Sequence, residues 1–129
     1  MDAPFDATAF AQSWVHAWNA GDLDAVLAHF ADDAVFTSPV AAQLLPETAG
    51  VLAGKDAIRA YWQAGLRRIP DLHFTVEAVY VGIDLIVINY RNHVGNLVCE
   101  VLRLREGLVI QGAGTYLELD AAAASGVAG

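Results

Sequence analysis

Residues 72–119 restrict the fold of this chain more than any other part of it. Four β-rich segments, Leu72–Val81, Ile83–His93, Leu97–Arg105 and Leu108–Leu119, are separated by turns containing Gly82, Gly95 and Gly107. Strands joined by such short turns pair antiparallel, so this half predicts a four-stranded meander, or a curved sheet once an earlier strand joins it. The half before it reads as helix. Phe10, Trp14 and Trp18, with Val15 beside them, recur at i, i+4 and i+8 on one apolar face. Gly21 offers a left-handed cap after that helix. Asp22 is placed to cap a second, short helix carrying Leu23, Val26, Leu27 and Phe30, with Asp24 in its first turn. Asp32-Asp33 are expected to turn the chain into a short strand, Ala34–Ser38, stopped by Pro39. A third helix opens at Gly54-Lys55-Asp56, carries Ile58, Tyr61, Trp62 and Leu66, and ends before Pro70. Between strand and helix, Val40–Ala53 has no clear periodicity and is expected to be a mobile lid. Helices first and sheet after is an α+β layout.

A chain of 129 residues is enough for one domain with one core, here about residues 8–119, with 120–129 expected to be a frayed tail of small residues. Its formal charge of −8, with only seven Lys and Arg, argues against nucleic acid as a partner, because phosphate contacts need clustered cations. No apolar run approaches a membrane span of roughly 20 residues, and the opening residues lack the pattern of a signal peptide. Cys99 is the single cysteine, and no Cys/His cluster has zinc spacing. The expectation is a cytoplasmic domain without metal or cofactor.

Alternation along the strands locates candidate chemistry. In Leu97–Arg105, Arg103 and Arg105 belong in water, so Val98, Glu100, Leu102 and Leu104 face inward. A carboxylate in the middle of an apolar face costs free energy unless it is paired or protonated. A two-residue loop at Val94-Gly95 would place Asn89 opposite Glu100 and Arg91 opposite Val98, putting all three polar groups on one face. A three-residue loop would instead set Tyr90 opposite Glu100. With the first register, the other face holds Ile86, Ile88, Tyr90, Cys99 and Val101, which is apolar enough to need a partner subunit. Gly112 and Gly114 lie in the last strand on the parity of Tyr116, leaving empty space above the sheet or letting it bend. Trp14, Trp18, Tyr61 and Trp62 facing that gap would outline a pocket. The competing reading is a filled core in which an Arg91–Glu100 pair fixes register.

The stretch "WNAGDLDAVLAHFADDAVFTSP", followed by "GKDAIRAYW" and a sheet ending "GLVIQGAGTYL", resembles the nuclear transport factor 2-like superfamily over roughly residues 8–119. Within it, the SnoaL-like branch of polyketide cyclases and ketosteroid isomerase is most similar. The resemblance implies a cone: a curved, mostly antiparallel sheet wrapped around three N-terminal helices, with an internal pocket and a homodimer joined through the outer sheet face. It also implies roles for three positions. Where ketosteroid isomerase has its general-base aspartate, before the proline ending the first strand, this chain has Ser38. Where it has an oxyanion-hole tyrosine on the first helix, this chain has Trp14. Where it has a protonated aspartate on the third long strand, this chain has Glu100. Limonene epoxide hydrolase, a cousin, uses an Asp–Arg–Asp set, of which Glu100 and Arg91 would be two parts. The implied function is acid–base chemistry on a small, mostly apolar carbonyl or polyketide-like molecule, with Glu100, Arg91 and Asn89 catalytic. Trp14, Trp18, Ser38, Tyr61, Trp62, Gly112, Gly114 and Tyr116 would line the substrate site. The alternative is a ligand-binding or dimerisation domain without chemistry.

Overall fold

The computed structural model describes residues 5–118; the expected tail at 120–129 lies outside them. Helix α1 (Ala7–Asn19) starts where the Asp6 carboxylate accepts a hydrogen bond from the Ala9 N–H at 3.0 Å. It buries Phe10, Trp14 and Trp18, the face read from the sequence. Gly21 then turns the chain at φ +68°. Asp22 caps α2 (Leu23–Leu27) through the Ala25 N–H at 3.1 Å. Asp24 reaches across to Arg59 at 2.7 Å, tying α2 to a later helix.

Three expectations for the next stretch are corrected. Phe30 belongs to strand β1 (Phe30–Thr37), not to the second helix. Asp32-Asp33 lie inside that strand, at the irregularity between Phe30 and Val35 in its pairing with the last strand. Both side chains face water there, so the strand needs no separate turn. Residues 40–53 are not an irregular lid. Ser38 caps α3 (Pro39–Leu44) with its hydroxyl on the Val40 N–H, and Pro39 occupies the first turn, where its missing N–H costs nothing. The Ser-Pro pair that ends the strand thus also starts a helix. A single 3₁₀ turn (Pro46–Thr48) and strand β2 (Val51–Ala53) complete the segment, which buries Val40, Ala41 and Leu52. Helix α4 (Lys55–Arg68) follows as expected, with Ile58, Tyr61 and Trp62 buried. The described chain therefore has four α-helices, not three.

Strands β3 (Thr75–Gly82), β4 (Leu85–Arg91), β5 (Leu97–Arg105) and β6 (Leu108–Tyr116) form the expected meander. The whole sheet runs β2-β1-β6-β5-β4-β3; it is curved and unclosed, and antiparallel except where β1 pairs parallel with β6. Helix α1 packs on β3 and α4 on β1 and β2, so the core lies between the helices and one sheet face. Asn19, at the end of α1, accepts from the Phe74 N–H at 2.8 Å and donates to its carbonyl at 3.0 Å. That pair of bonds holds the start of the sheet to the first helix.

Candidate functional site

The turn between β4 and β5 decides what surrounds Glu100. It spans residues 92–96, because the Asn92 side chain accepts from both the Val94 and Asn96 N–H groups, at 3.2 and 2.9 Å. Gly95 supplies the positive φ of +81°. Neither the two- nor the three-residue loop expected from the sequence forms. Ile88 stands opposite Glu100, Asn89 opposite Cys99 and Arg91 opposite Leu97.

This register corrects the expected constellation. Glu100 faces inward as read from alternation and is 3% exposed, together with Val98, Leu102 and Leu104. Asn89 and Arg91 point to the other face. Asn89 donates to the Val98 carbonyl at 3.2 Å and contacts the Cys99 sulfur at 3.3 Å. Arg91 pairs with Glu77 at 2.5 Å and donates to the Gly95 carbonyl at 2.9 Å, half-exposed. An Arg91–Glu100 pair is thereby ruled out, and with it the partial likeness to an Asp–Arg–Asp set. Ile86, Ile88 and Tyr90, expected on the outer face, are buried inside; Cys99 and Val101 do lie outside. The signal that could have revealed this was Asn92 in "RNHVGN", whose side chain can cap its own turn.

Tyr90, which the sequence brought to Glu100 only through the three-residue loop and did not count among the site residues, is its partner. Its hydroxyl donates to Glu100 Oε1 at 3.1 Å, fully buried. Tyr90 and Tyr116 both stand opposite Val98, on the strands either side of β5, so each is one step diagonal to Glu100. Between Tyr116 and Gly112, β6 places Gly114 directly opposite Glu100, where it presents no side chain. Gly112 differs: a Cβ there would lie 2.8 Å from the Phe36 ring and 3.1 Å from Leu102. The empty space expected above Gly112 is therefore filled, and the glycine is needed for close packing. Ser38 completes the polar group, its hydroxyl 3.1 Å from that of Tyr61. Trp14 is 5.2 Å from Tyr90, centroid to centroid, and stacks on Phe74. Trp18 and Trp62 sit further along, edge to face with one another, with Trp62 also against Phe30 and Phe36.

Burial sets the electrostatics. Removal from water pushes the Glu100 carboxyl up to about 8, partly opposed by the Tyr90 hydrogen bond. Burial and the nearby Glu100 also raise Tyr90. Tyr116 is raised well above the ordinary phenol range, first by burial and then by Tyr61 and Glu100. Its hydroxyl is close enough to feel Ser38 and Tyr61 but completes no hydrogen bond of good geometry with either. Apart from tyrosines, the buried polar or charged side chains among the described residues are Ser38, Asn92 and Glu100, none of them a cation. Near neutral pH this interior is thus a set of uncharged O–H groups around a protonated carboxyl. Among the described residues no three His, Cys, Asp or Glu side chains converge as metal ligands would. No described helix is long and apolar enough to cross a membrane.

An unclosed curved sheet packed on helices, with polar side chains on its inner face, is the cystatin-like α+β architecture of nuclear transport factor 2-like proteins. Within that class, the chain belongs to the SnoaL-like domain family, whose model matches residues 11–112. A SnoaL-like protein of unknown function from Burkholderia thailandensis is 39% identical, with a TM-score of 0.83 over 89% of this chain and 99% of that one. TerC, in a crystal with polyporic acid, shares the fold at 11% identity, with a TM-score of 0.74 over 91% and 93% of the two chains. AclR from Streptomyces galilaeus, a candidate hydroxylase, does so at 19% identity, with a TM-score of 0.68 over 88% and 90%.

Proposed function

We propose that this protein binds a small, mostly apolar carbonyl or polyketide-like molecule on the inner face of its sheet and that Glu100 acts on it as an acid–base group. One observation carries the reading: a carboxyl buried without a cation, held near neutrality by its surroundings and hydrogen-bonded by Tyr90. Such a group donates a proton or a strong hydrogen bond to a substrate oxygen as charge develops there. A structural carboxylate would more simply be paired or replaced. The crystal of TerC with polyporic acid supports small-molecule binding by this architecture. Measuring hydrogen–deuterium exchange into an enolisable ketone tests the proposal. Glu100→Gln should abolish the catalysed exchange, and the wild-type rate should change with a midpoint near the Glu100 pKa of about 8.

Ser38 favours the second reading, a ligand-binding domain without chemistry. It stands where the resemblance places a general base, yet it is a hydroxyl engaged with Val40 and Tyr61. Ketone binding with exchange unaffected by Glu100→Gln would decide for that reading. We further propose a homodimer through the outer sheet face, where Val87, Leu97, Cys99 and Val101 are only partly covered in the single chain. Light scattering should give twice the chain mass, and Val101→Arg should return it to that of one chain.

A further inference from the structure

Glu100 is bracketed by two tyrosines at equivalent positions. Tyr90 on β4 and Tyr116 on β6 both face Val98, and both stand one pleat from the carboxyl. Tyr90 spends its proton on Glu100. Tyr116 has a hydroxyl buried from water with no completed hydrogen bond. A buried, unsatisfied hydroxyl costs free energy, and among the described residues such groups are few. The position beside it, opposite Glu100, is Gly114, which contributes no side chain. Beyond it lie the hydroxyls of Ser38 and Tyr61.

We infer that the Tyr116 hydroxyl is a second recognition point, and that the ligand is an uncharged molecule with two oxygens, one meeting Glu100 and the other meeting Tyr116. This deepens the function proposed above and rests on the same interior. The ligand is uncharged because the fully buried residues among those described include no Lys, Arg or His to meet a carboxylate or phosphate, while Glu100 would repel one whenever ionised. Its oxygens are keto or hydroxyl, since these give or accept a hydrogen bond without demanding a counter-charge. The rest of the molecule is apolar and flat enough for Trp14 and Phe74, which bound the same region through Tyr90.

Calorimetric titration near neutral pH with 1,3-dihydroxynaphthalene, 2-naphthol and 2-naphthoate, against wild type, Tyr116→Phe and Glu100→Gln, tests this. The dihydroxy compound should bind roughly tenfold more tightly than 2-naphthol, about the effect of one neutral hydrogen bond, and the naphthoate should bind worst. Tyr116→Phe should erase the advantage of the second oxygen, bringing the dihydroxy compound to the affinity of 2-naphthol. An advantage that survives Tyr116→Phe, or preferred binding of the naphthoate, overturns the inference. If Tyr116→Phe erases the advantage while Glu100→Gln changes neither binding nor ketone exchange, the recognition point stands and the acid–base role of Glu100 falls. Failure of all three compounds to bind overturns both.

Discussion

Glu77 and Glu100 lie on neighbouring parts of one sheet and behave as different chemical groups. Glu77 is on the outer face, 40% exposed at its side chain, and pairs with Arg91. Glu100 is on the inner face, 3% exposed, and accepts its hydrogen bond from the Tyr90 hydroxyl. The first has water and a cation beside it. Their loss turns the second into a protonated acid at neutral pH, able to donate as well as accept. The lesson is that the side of the pleat, not the residue type, sets the chemistry here. A single step in the β4–β5 register would move Arg91 to the Glu100 side and erase the contrast.

The largest expected effect comes from the inner carboxyl. The unfolded chain releases this proton near its ordinary value of 4.5, whereas the folded protein holds it to about 8. Between those values the folded state binds more protons, so rising pH favours unfolding. The loss begins above about pH 4.5 and is complete above about pH 8; at roughly 1.4 kcal/mol per unit it is on the order of 5 kcal/mol. The tyrosines coupled to Glu100, Tyr90 and Tyr116, are both raised and stay protonated in that range, so neither offsets it. Urea denaturation at a series of pH values should show the decline, and Glu100→Gln should flatten it.

Packing on the same face gives the next effect. Gly112→Ala would press a methyl group into Phe36 and Leu102, with an expected loss of about 1–3 kcal/mol by thermal melting. An alanine at outer Thr115 on the same strand should cost less, because that side chain is exposed and only its hydroxyl is bonded, to the Cys99 carbonyl.

Tyr90→Phe sharpens the contrast electrostatically. It removes the one contact that lowers the Glu100 pKa, so the end of the pH-dependent loss should move above about pH 8, with roughly 1 kcal/mol lost from the hydrogen bond. The smallest effect belongs to the outer pair. Arg91→Ala should change stability by no more than about 1 kcal/mol, less in high salt, and leave ligand binding and the pH profile alone. A large effect on binding would break the comparison.

Much of this molecule was legible before the fold was known. The α1 face, the Asp22 cap, the α4 core residues and the inward position of Glu100 all follow from periodicity and capping, which act over a few residues. Asp22, Asp24 and Asp32-Asp33 proved to be a cap, a helix-start charge with an ion pair to Arg59, and exposed strand residues, Asp32 near Lys55 at 3.6 Å. What surrounds Glu100 was not legible. Alternation gives each strand its two faces but says nothing of how neighbouring strands slide. The slide depended on how many residues Asn92 gathers into its turn, and one residue more or less exchanges Tyr90 for Arg91. Likewise, two glycines in β6 read alike in sequence. Only the packing distinguishes Gly112, pressed by Phe36 from β1, from Gly114, which faces Glu100. Local forces determined which residues point inward; register and long-range packing decided which of them meet.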